Sequence, residues 1–203
     1  MQILYGTTNQ AKLESMKRIT ESLGIDIIGL KDINRPLPQV DESGNNPLEN
    51  AKLKAKAYYE AFSIPVFSCD SGLYFDNLEE SLQPGTHVRR VNGKVLTDGQ
   101  MIEYYSELAR KHNNHLIGRY RNAICFIPNE TTCLTSMDES LWTEPFIITS
   151  VPHKKRVPGF PLDSLSLDIA TKQYIYDTEQ ESVDKSAIEQ GFKAFFENAL
   201  SIK

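Results

Sequence analysis

The sequence predicts a mixed α/β domain, and three observations carry that expectation. Over the first third of the chain, short apolar runs at Ile3–Leu4–Tyr5, Ile25–Leu30 and Pro65–Leu73 alternate with segments of helical periodicity. Further on, Arg119–Ile127, Thr132–Met137 and Glu144–Val151 read as strands, and Pro128–Asn129–Glu130–Thr131 joins the first two as a hairpin, which makes the sheet mixed rather than purely parallel. With 203 residues, 40% of them hydrophobic and 24% charged, the chain is long enough for a real core. No repeat, low-complexity tract or linker divides it, so a single domain over residues 1–203 is expected.

Ile3–Tyr5 is the first strand. It leads through Gly6–Thr7–Thr8–Asn9 into a helix from Gln10 to Leu23, with Leu13, Met16, Ile19 and Leu23 spaced for one face and Gly24 as its stop. The turn offers hydroxyls and free backbone N–H groups at a helix N-terminus, with Lys12 in the first turn. That is a cradle for phosphate on one reading, and an N-cap by Thr8 or Asn9 beside a solvated Lys12 on the other. A Walker loop is absent. Ile25–Leu30 forms the second strand, and Lys31–Pro47 is a long loop with Asp32, Asp41 and Glu42. Asp41 and Glu42 either supply oxygen ligands to Mg²⁺ or belong to a solvated acidic loop.

Leu48–Phe62 is a helix with Leu48, Ala51, Ala55, Tyr58, Tyr59 and Phe62 on its apolar face. Lys52, Lys54 and Lys56 cannot share one face, so at least one points elsewhere than the others. The strand Pro65–Leu73 then carries Asp70 into an expected turn at Asp70–Ser71–Gly72. A carboxylate at the carboxyl end of a strand sits where open α/β sheets place their chemistry, and it also suits a plain turn in which Asp bonds its own backbone. Tyr74–Leu78 continues apolar, and Pro84–Gly85 with Arg89–Arg90 marks a loop carrying two cations. Asp98–His112 is an amphipathic helix with Met101, Ile102, Tyr105, Leu108 and Ala109 inward. The basic patch His153–Arg156 runs into Val157–Asp163, a loop with pocket-lining composition. Gln173–Tyr176 reads as one more short strand, and Val183–Leu200 closes the chain as a helix with Ile188, Phe192, Phe195 and Ala199 inward.

A net charge of -5 argues against a nucleic-acid backbone as partner, while a small anion stays open through a local cluster of Lys and Arg or a bound metal. No apolar stretch approaches the roughly 20 residues of a membrane span. No basic n-region and apolar h-region stands before Gln2–Tyr5, and Cys69, Cys125 and Cys133 lack disulfide-framework or zinc spacing, so reduced thiols and a cytoplasmic location are expected. A catalytic thiol at Cys69 finds no His close in sequence.

Four motifs in the first half resemble the inosine triphosphate pyrophosphatase family. Thr7–Lys12 is similar to its T-x-N-x-x-K opening. Glu42–Ser43–Gly44 through Glu49–Asn50–Ala51 and Lys54–Ala55 is similar to E-T-G-x-T-x-x-E-N-A-x-x-K-A. Cys69–Leu73 resembles D-D-S-G-L, and Pro84–Gly85 with Arg90 resembles P-G-x-x-S-A-R. The second half departs. Gly159, Phe160 and Asp163 match G-F-G-Y-D-P only in part, Lys185–Ile188 is similar to the run before the family's S-H-R triplet, and Glu189–Gln190–Gly191 replaces that triplet. Cys69 stands in place of the first Asp of the D-D pair, so the carboxylate that the family has at that position is missing here.

The resemblance implies an elongated long mixed sheet with two helical lobes and a nucleotide cleft between them, in a homodimer. It implies hydrolysis of non-standard purine nucleoside triphosphates, such as those of inosine and xanthosine, to the monophosphate and pyrophosphate with Mg²⁺. On that basis Asp70 is the catalytic base, and Asp70 with Asp41 or Glu42 holds the metal. Thr7, Thr8, Asn9, Lys12, Lys54, Ser71, Arg90, Phe160, Asp163, Lys185 and Gln190 bind the substrate. Two other expectations stand beside this one: a nucleotide-binding or regulatory module with reduced catalysis, and the same chemistry on a different base.

Overall fold

A computed structural model of the chain describes residues 1–76, 78–178 and 180–201, without the side chains of 180–186, and in it local chemistry sets where the helices begin. Strand β1 (Gln2–Tyr5) leads into helix α1 (Gln10–Thr20), whose N-cap Asn9 accepts from the backbone N–H groups of Ala11 and Lys12. A single 3₁₀ turn and a left-handed Gly24 then release the chain into β2 (Asp26–Gly29). Helix α2 (Pro47–Phe62) starts on Asn46, which accepts from the Glu49 N–H, and Pro47 sits at the first helical position, where a missing N–H costs nothing. Then come β3 (Val66–Phe75), the small hairpin of β4 (Arg90–Val91) and β5 (Lys94–Val95), and α3 (Asp98–Lys111), which opens on a Thr97–Gln100 capping box. Strands β6 (Leu116–Asn129), β7 (Thr132–Ser136), β8 (Phe146–Ile148) and β9 (Ser166–Asp168) precede helix α4 (Gln180–Ser201).

The sheet is long and mixed, as expected. β1 pairs in parallel with β2 and β3, while β6 pairs antiparallel with β7 and β8, and β8 with β9. The order is β2-β1-β3-β6-β8-β9, with β7 beside β6.

Contacts divide the chain into two compact units. The first comprises Met1–Ser71, Arg121–Trp142 and α4 from Ala187. Its larger core sets Ile3, Tyr5, Phe67, Ile124 and Phe126 of the sheet against Leu13, Met16 and Ile19 of α1 and Phe192 and Phe196 of α4. The alternation of strand side chains sends Leu4 and Val66 to the opposite face, against Tyr58 and Phe62 of α2. The second unit comprises Gly72–Tyr120 and Thr143–Ser186, where Leu73, Phe75, Leu116, Phe146 and Ile148 pack with Met101, Tyr105 and Ala109 of α3. No helix among the described residues is long and apolar enough to cross a membrane.

The structure corrects the sequence reading at several elements. β8 keeps only Phe146–Ile148 of the expected Glu144–Val151. Gln173–Tyr176 is not a strand. The Asp168 carboxylate accepts from the Thr171 N–H and hydroxyl and turns the chain, so Ser166–Asp168 takes the edge of the sheet, and Tyr174 adds only an isolated bridge to Leu167. In α4 the fully buried ring is Phe196, four residues after Phe192, while Phe195 is half-buried.

Candidate active site

The expected turn at Asp70–Ser71–Gly72 does not form, because β3 runs straight through it. The Leu73 N–H donates to the Gly85 carbonyl at 2.9 Å and the Gly85 N–H donates back at 3.0 Å, so the backbone beyond Gly72 is satisfied without an Asx turn. Gly72 is required by that close approach, since a Cβ there would lie 3.0 Å from the Gly85 carbonyl. Asp70 therefore stays in extended backbone, on the α2 face of the sheet with Val66 and Ser68.

On α2, Asn50 and Lys54 lie one turn apart and both face Asp70. The Asn50 Nδ2 donates to Asp70 Oδ2 at 3.0 Å and the Lys54 Nζ donates to Oδ1 at 2.7 Å. The pair is largely sheltered, with 11% of the Lys54 side chain and 17% of the Asp70 side chain exposed. Asn50 Oδ1 in turn accepts from the Gly44 N–H at 2.8 Å, which fixes the orientation of its amide. A Cβ at Gly44 would stand 2.6 Å from that oxygen, so only glycine lets the loop come this close. Glu49 Oε2 accepts from the Asn45 N–H, and together these bonds lay the loop on the first turn of α2.

The loop delivers Glu42, whose Oε1 is 3.8 Å from Lys54 Nζ, whereas Asp41 is exposed and accepts from the Ser43 hydroxyl. Lys52 and Lys56 are exposed, so Lys54 is the lysine that points elsewhere. Among the described residues no three His, Cys, Asp or Glu side chains gather into a metal cage. Two carboxylates, those of Asp70 and Glu42, nevertheless converge on one cation. That donor set fits Mg²⁺, which takes one or two carboxylates and fills its other positions with water and phosphate oxygens.

In the Gly6–Lys12 loop, Asn9 makes the N-cap described above, Thr7 Oγ1 accepts from the Asn9 N–H, and Thr8 and Lys12 are exposed. A Cβ at Gly6 would run into the Ser68 hydroxyl and the Tyr58 ring, so the loop enters directly against β3 and α2. The Ser68 hydroxyl is buried without a hydrogen-bond partner among the described residues.

Cys69, one residue before Asp70, faces the other side and packs against the larger core. Burial pushes its thiol up to about 12, outweighing the opposing pull of the Tyr5 hydroxyl, Lys12 and Lys54. Held neutral at ordinary pH, Cys69 offers no standing thiolate to a metal or to a phosphate. Ser71 donates to Asn122 Oδ1 at 2.7 Å, and Asn122 Nδ2 donates to the Leu141 carbonyl.

Of the other residues expected from sequence to bind substrate, Arg90, Phe160, Asp163 and Lys185 belong to the second unit and Gln190 to the first. Arg90, at the start of β4, is exposed, and it is Arg89 that is engaged, with Nη2 2.7 Å from Asp98 Oδ1. Asp98 Oδ2 accepts from the Gly159 N–H at 2.8 Å, beside the half-exposed ring of Phe160. Asp163 lies in the 3₁₀ segment Pro161–Leu165. On α4, Glu189 reaches Arg18 at 3.6 Å and Gln190 is exposed, while a Cβ at Gly191 would collide with the Ser140 carbonyl. The side chain of Lys185 falls outside the described residues.

Asn50 stands in the Glu49–Asn50–Ala51 motif but was given no role from sequence, and Asn122 was not singled out at all. Asn50 could have been found as a polar residue one turn before Lys54 on a helix face that also carries Ala51 and Ala55. Asn122 has no local signal, since its partner is 51 positions away.

The sequence pattern of the Ham1 family matches residues 3–141, well over half of the chain. The chain belongs to the Ham1 family. That match takes in Thr7–Lys12, Glu42, Asn50, Lys54, Asp70, Ser71 and Arg90, and ends before Phe160, Asp163, Lys185 and Gln190. A dITP/XTP pyrophosphatase of Oceanobacillus iheyensis is 35% identical over 101 residues, 50% of this chain and 50% of that protein. In this and similar pairings the chain spans about half the length of the curated relative it matches. A dITP/XTP pyrophosphatase of Malacoplasma penetrans is 26% identical over 200 residues, 96% of this chain and 94% of the relative. The Ham1 protein structure from Coxiella burnetii superposes with a TM-score of 0.79 at 20% identity, covering 98% of this chain and 99% of that one, and shares the fold.

Proposed function

We propose that this Ham1-family chain hydrolyses non-standard purine nucleoside triphosphates, those of inosine, deoxyinosine and xanthosine, to the monophosphate and pyrophosphate. The observation that carries this reading is the Asp70 carboxylate, held on one oxygen by Asn50 and on the other by Lys54, with Glu42 on the same ammonium. The naming of the relatives as dITP/XTP pyrophosphatases supports the substrate class.

Asp70 accepts the proton of the water that attacks the α-phosphorus, and pyrophosphate leaves. Asn50 keeps the carboxylate from rotating, because its amide is itself anchored on Gly44. Lys54 gives up one carboxylate oxygen and turns its charge to the phosphates. Glu42 and Asp70 would hold Mg²⁺, which when bound neutralises phosphate oxygens and orients the water. Lys12, with Thr7, Thr8 and Asn9, takes the phosphate tail, and Ser71 and Phe160 the nucleoside. Arg90, Asp163, Lys185 and Gln190 complete the binding set. The enzyme works as a cytoplasmic homodimer.

A second reading, the same chemistry with altered base preference, is favoured by one observation. Of the three residues in place of the family's S-H-R, Glu189 is engaged by Arg18 and Gly191 has no room for a side chain, which leaves Gln190 alone free to meet a base. Gln190 donates and accepts but carries no charge to favour a 6-keto oxygen. A pyrophosphate-release assay over inosine, xanthosine, guanosine and adenosine triphosphates, with and without Mg²⁺, separates the readings. Metal-dependent release from the first two supports the main proposal, comparable kcat/KM across all four supports the second, and no release from any overturns both.

A further inference from the structure

Cys125 sits on β6, fully buried against Ala51 and Ala55 of α2, while Cys133 sits exposed on β7. Cys125 lies opposite Thr135 in the antiparallel pair, so Cys133, two residues before Thr135, shares its face of the sheet as a diagonal neighbour. Between the Phe126–Leu134 and Asn129–Thr132 pairs the register slips by one, leaving Ile127 and Pro128 to face Cys133 alone. Such a bulge sharpens the local twist. The two sulfur atoms stand 3.6 Å apart. Sulfur atoms in a disulfide are about 2 Å apart, so a small side-chain movement closes the gap.

We propose that Cys125 and Cys133 form a redox-responsive pair, closed to a disulfide by a hydroperoxide and reopened by a dithiol, and that closure is felt by α2. The exposed sulfur reacts first. Cys133 thiolate attacks the outer peroxide oxygen, an S–O bond forms, the O–O bond breaks, and an alcohol, or water from hydrogen peroxide, departs with a proton. The Cys125 sulfur then attacks the Cys133 sulfenic acid, the S–S bond forms, and the hydroxyl leaves as water with the Cys125 proton. Two thiols lose two electrons and two protons, and the peroxide takes them up. Burial, with Cys133 alongside, keeps the Cys125 thiol protonated, which leaves the first attack to Cys133 and requires the Cys125 proton to pass to the departing hydroxyl as the S–S bond forms.

The link to α2 is packing. Ala51 and Ala55 are fully buried, and each adjoins a residue that holds Asp70, Ala51 following Asn50 and Ala55 following Lys54. Drawing the Cys125 sulfur towards Cys133 takes contact atoms away from both alanines and leaves Ile127, which packs on the same cluster, to shift against them. This inference does not depend on the hydrolase reading, and its test measures no hydrolysis.

Purified full chain is treated with hydrogen peroxide, and its thiols are counted after denaturation. The three thiols of the chain should fall to one, with Cys69 remaining, a Cys125–Cys133 cross-linked peptide should appear in a non-reducing digest, and a dithiol should restore all three. Amide hydrogen exchange over Ala51–Ala55 should be severalfold faster in the oxidised protein. In Cys133→Ser, which changes an exposed residue, peroxide should produce neither the cross-link nor the faster exchange. Persistence of three thiols, over-oxidation of Cys133 without a cross-link, a cross-link through Cys69 or between chains, or a cross-link that leaves exchange in α2 unchanged would each overturn the proposal.

Discussion

Asp70 and Asp98 each hold one cation at 2.7 Å, Lys54 in the first case and Arg89 in the second, but they are built into the protein differently. Asp98 and Arg89 are more open, with 40% and 36% of their side chains exposed against 17% and 11% for Asp70 and Lys54. The second oxygen of Asp98 accepts from the backbone of Gly159, a residue with φ of 84°, and Asp98 is also the first residue of α3, where negative charge is favoured. Among the described residues the hydrogen-bond partners of Asp70 are side chains, those of Asn50 and Lys54. A carboxylate tied to backbone cannot change partners without moving the chain. One held by an amide and an ammonium can exchange either for water, metal or phosphate while the fold stands still. The distance within the ion pair therefore does not distinguish a structural carboxylate from a chemical one; shelter and the nature of the second partner do.

The largest expected effect breaks the comparison at the chemical end. Asp70→Asn keeps the shape of the side chain but cannot take the water's proton, so hydrolysis of the best triphosphate should fall by about 10²–10⁴-fold. Asp98→Asn should leave the rate within a few-fold of wild type. Pyrophosphate release, with circular dichroism to show that both variants are folded, checks the pair. Equal losses in the two variants would erase the distinction drawn between them.

A second, smaller effect concerns stability. Asn50→Leu strands two groups at once, the Gly44 N–H and Asp70 Oδ2, and leaving a buried polar group unpaired costs about 1–3 kcal/mol. Arg89→Gln removes one partner of an open pair, worth about 0–1 kcal/mol. Urea unfolding of both variants should rank them in that order, and the reverse order would mean that shelter is not what separates the two sites.

Sequence alone singled out the carboxylate for which the chemistry is proposed, but not its surroundings. Asp70, Lys54 and Glu42 could be named from the resemblance of short motifs to those of a known family. The conformation at Asp70 could not, because Asp-Ser-Gly has the composition of a turn and is kept extended by Gly85, a partner thirteen positions on from Gly72. The same limit explains Ser71, whose partner Asn122 is brought in by sheet pairing, and the edge of the sheet, where Ser166–Asp168 displaced the more strand-like Gln173–Tyr176. The two adjacent arginines show it at the finest scale, since nothing local says that Arg89 will find Asp98 while Arg90 stays exposed. What depended on local periodicity was legible. What depended on a distant backbone group was not.

The smallest effect tests the structural carboxylate through pH. The Gly159 N–H first, and Arg89 after it, hold the Asp98 carboxyl below the usual carboxylate range. A carboxyl whose folded value is depressed contributes stability that is present above its unfolded value of about 3.9 and is lost as pH falls through the folded value. The contribution should therefore be constant from about pH 5 upward and should disappear below about pH 4. Asp168 is depressed as well, chiefly by the Thr171 hydroxyl, and acts in the same window, so the wild-type profile alone cannot isolate Asp98. The difference between wild type and Asp98→Asn can, because the amide oxygen still accepts from Gly159 and only the charge is removed. That difference, read as urea midpoints, should be small but steady at neutral pH, as expected for an exposed pair, and should shrink as the buffer is taken below about pH 4. A gap that stayed unchanged through acid would mean that shape, not charge, ties Asp98 to its loop.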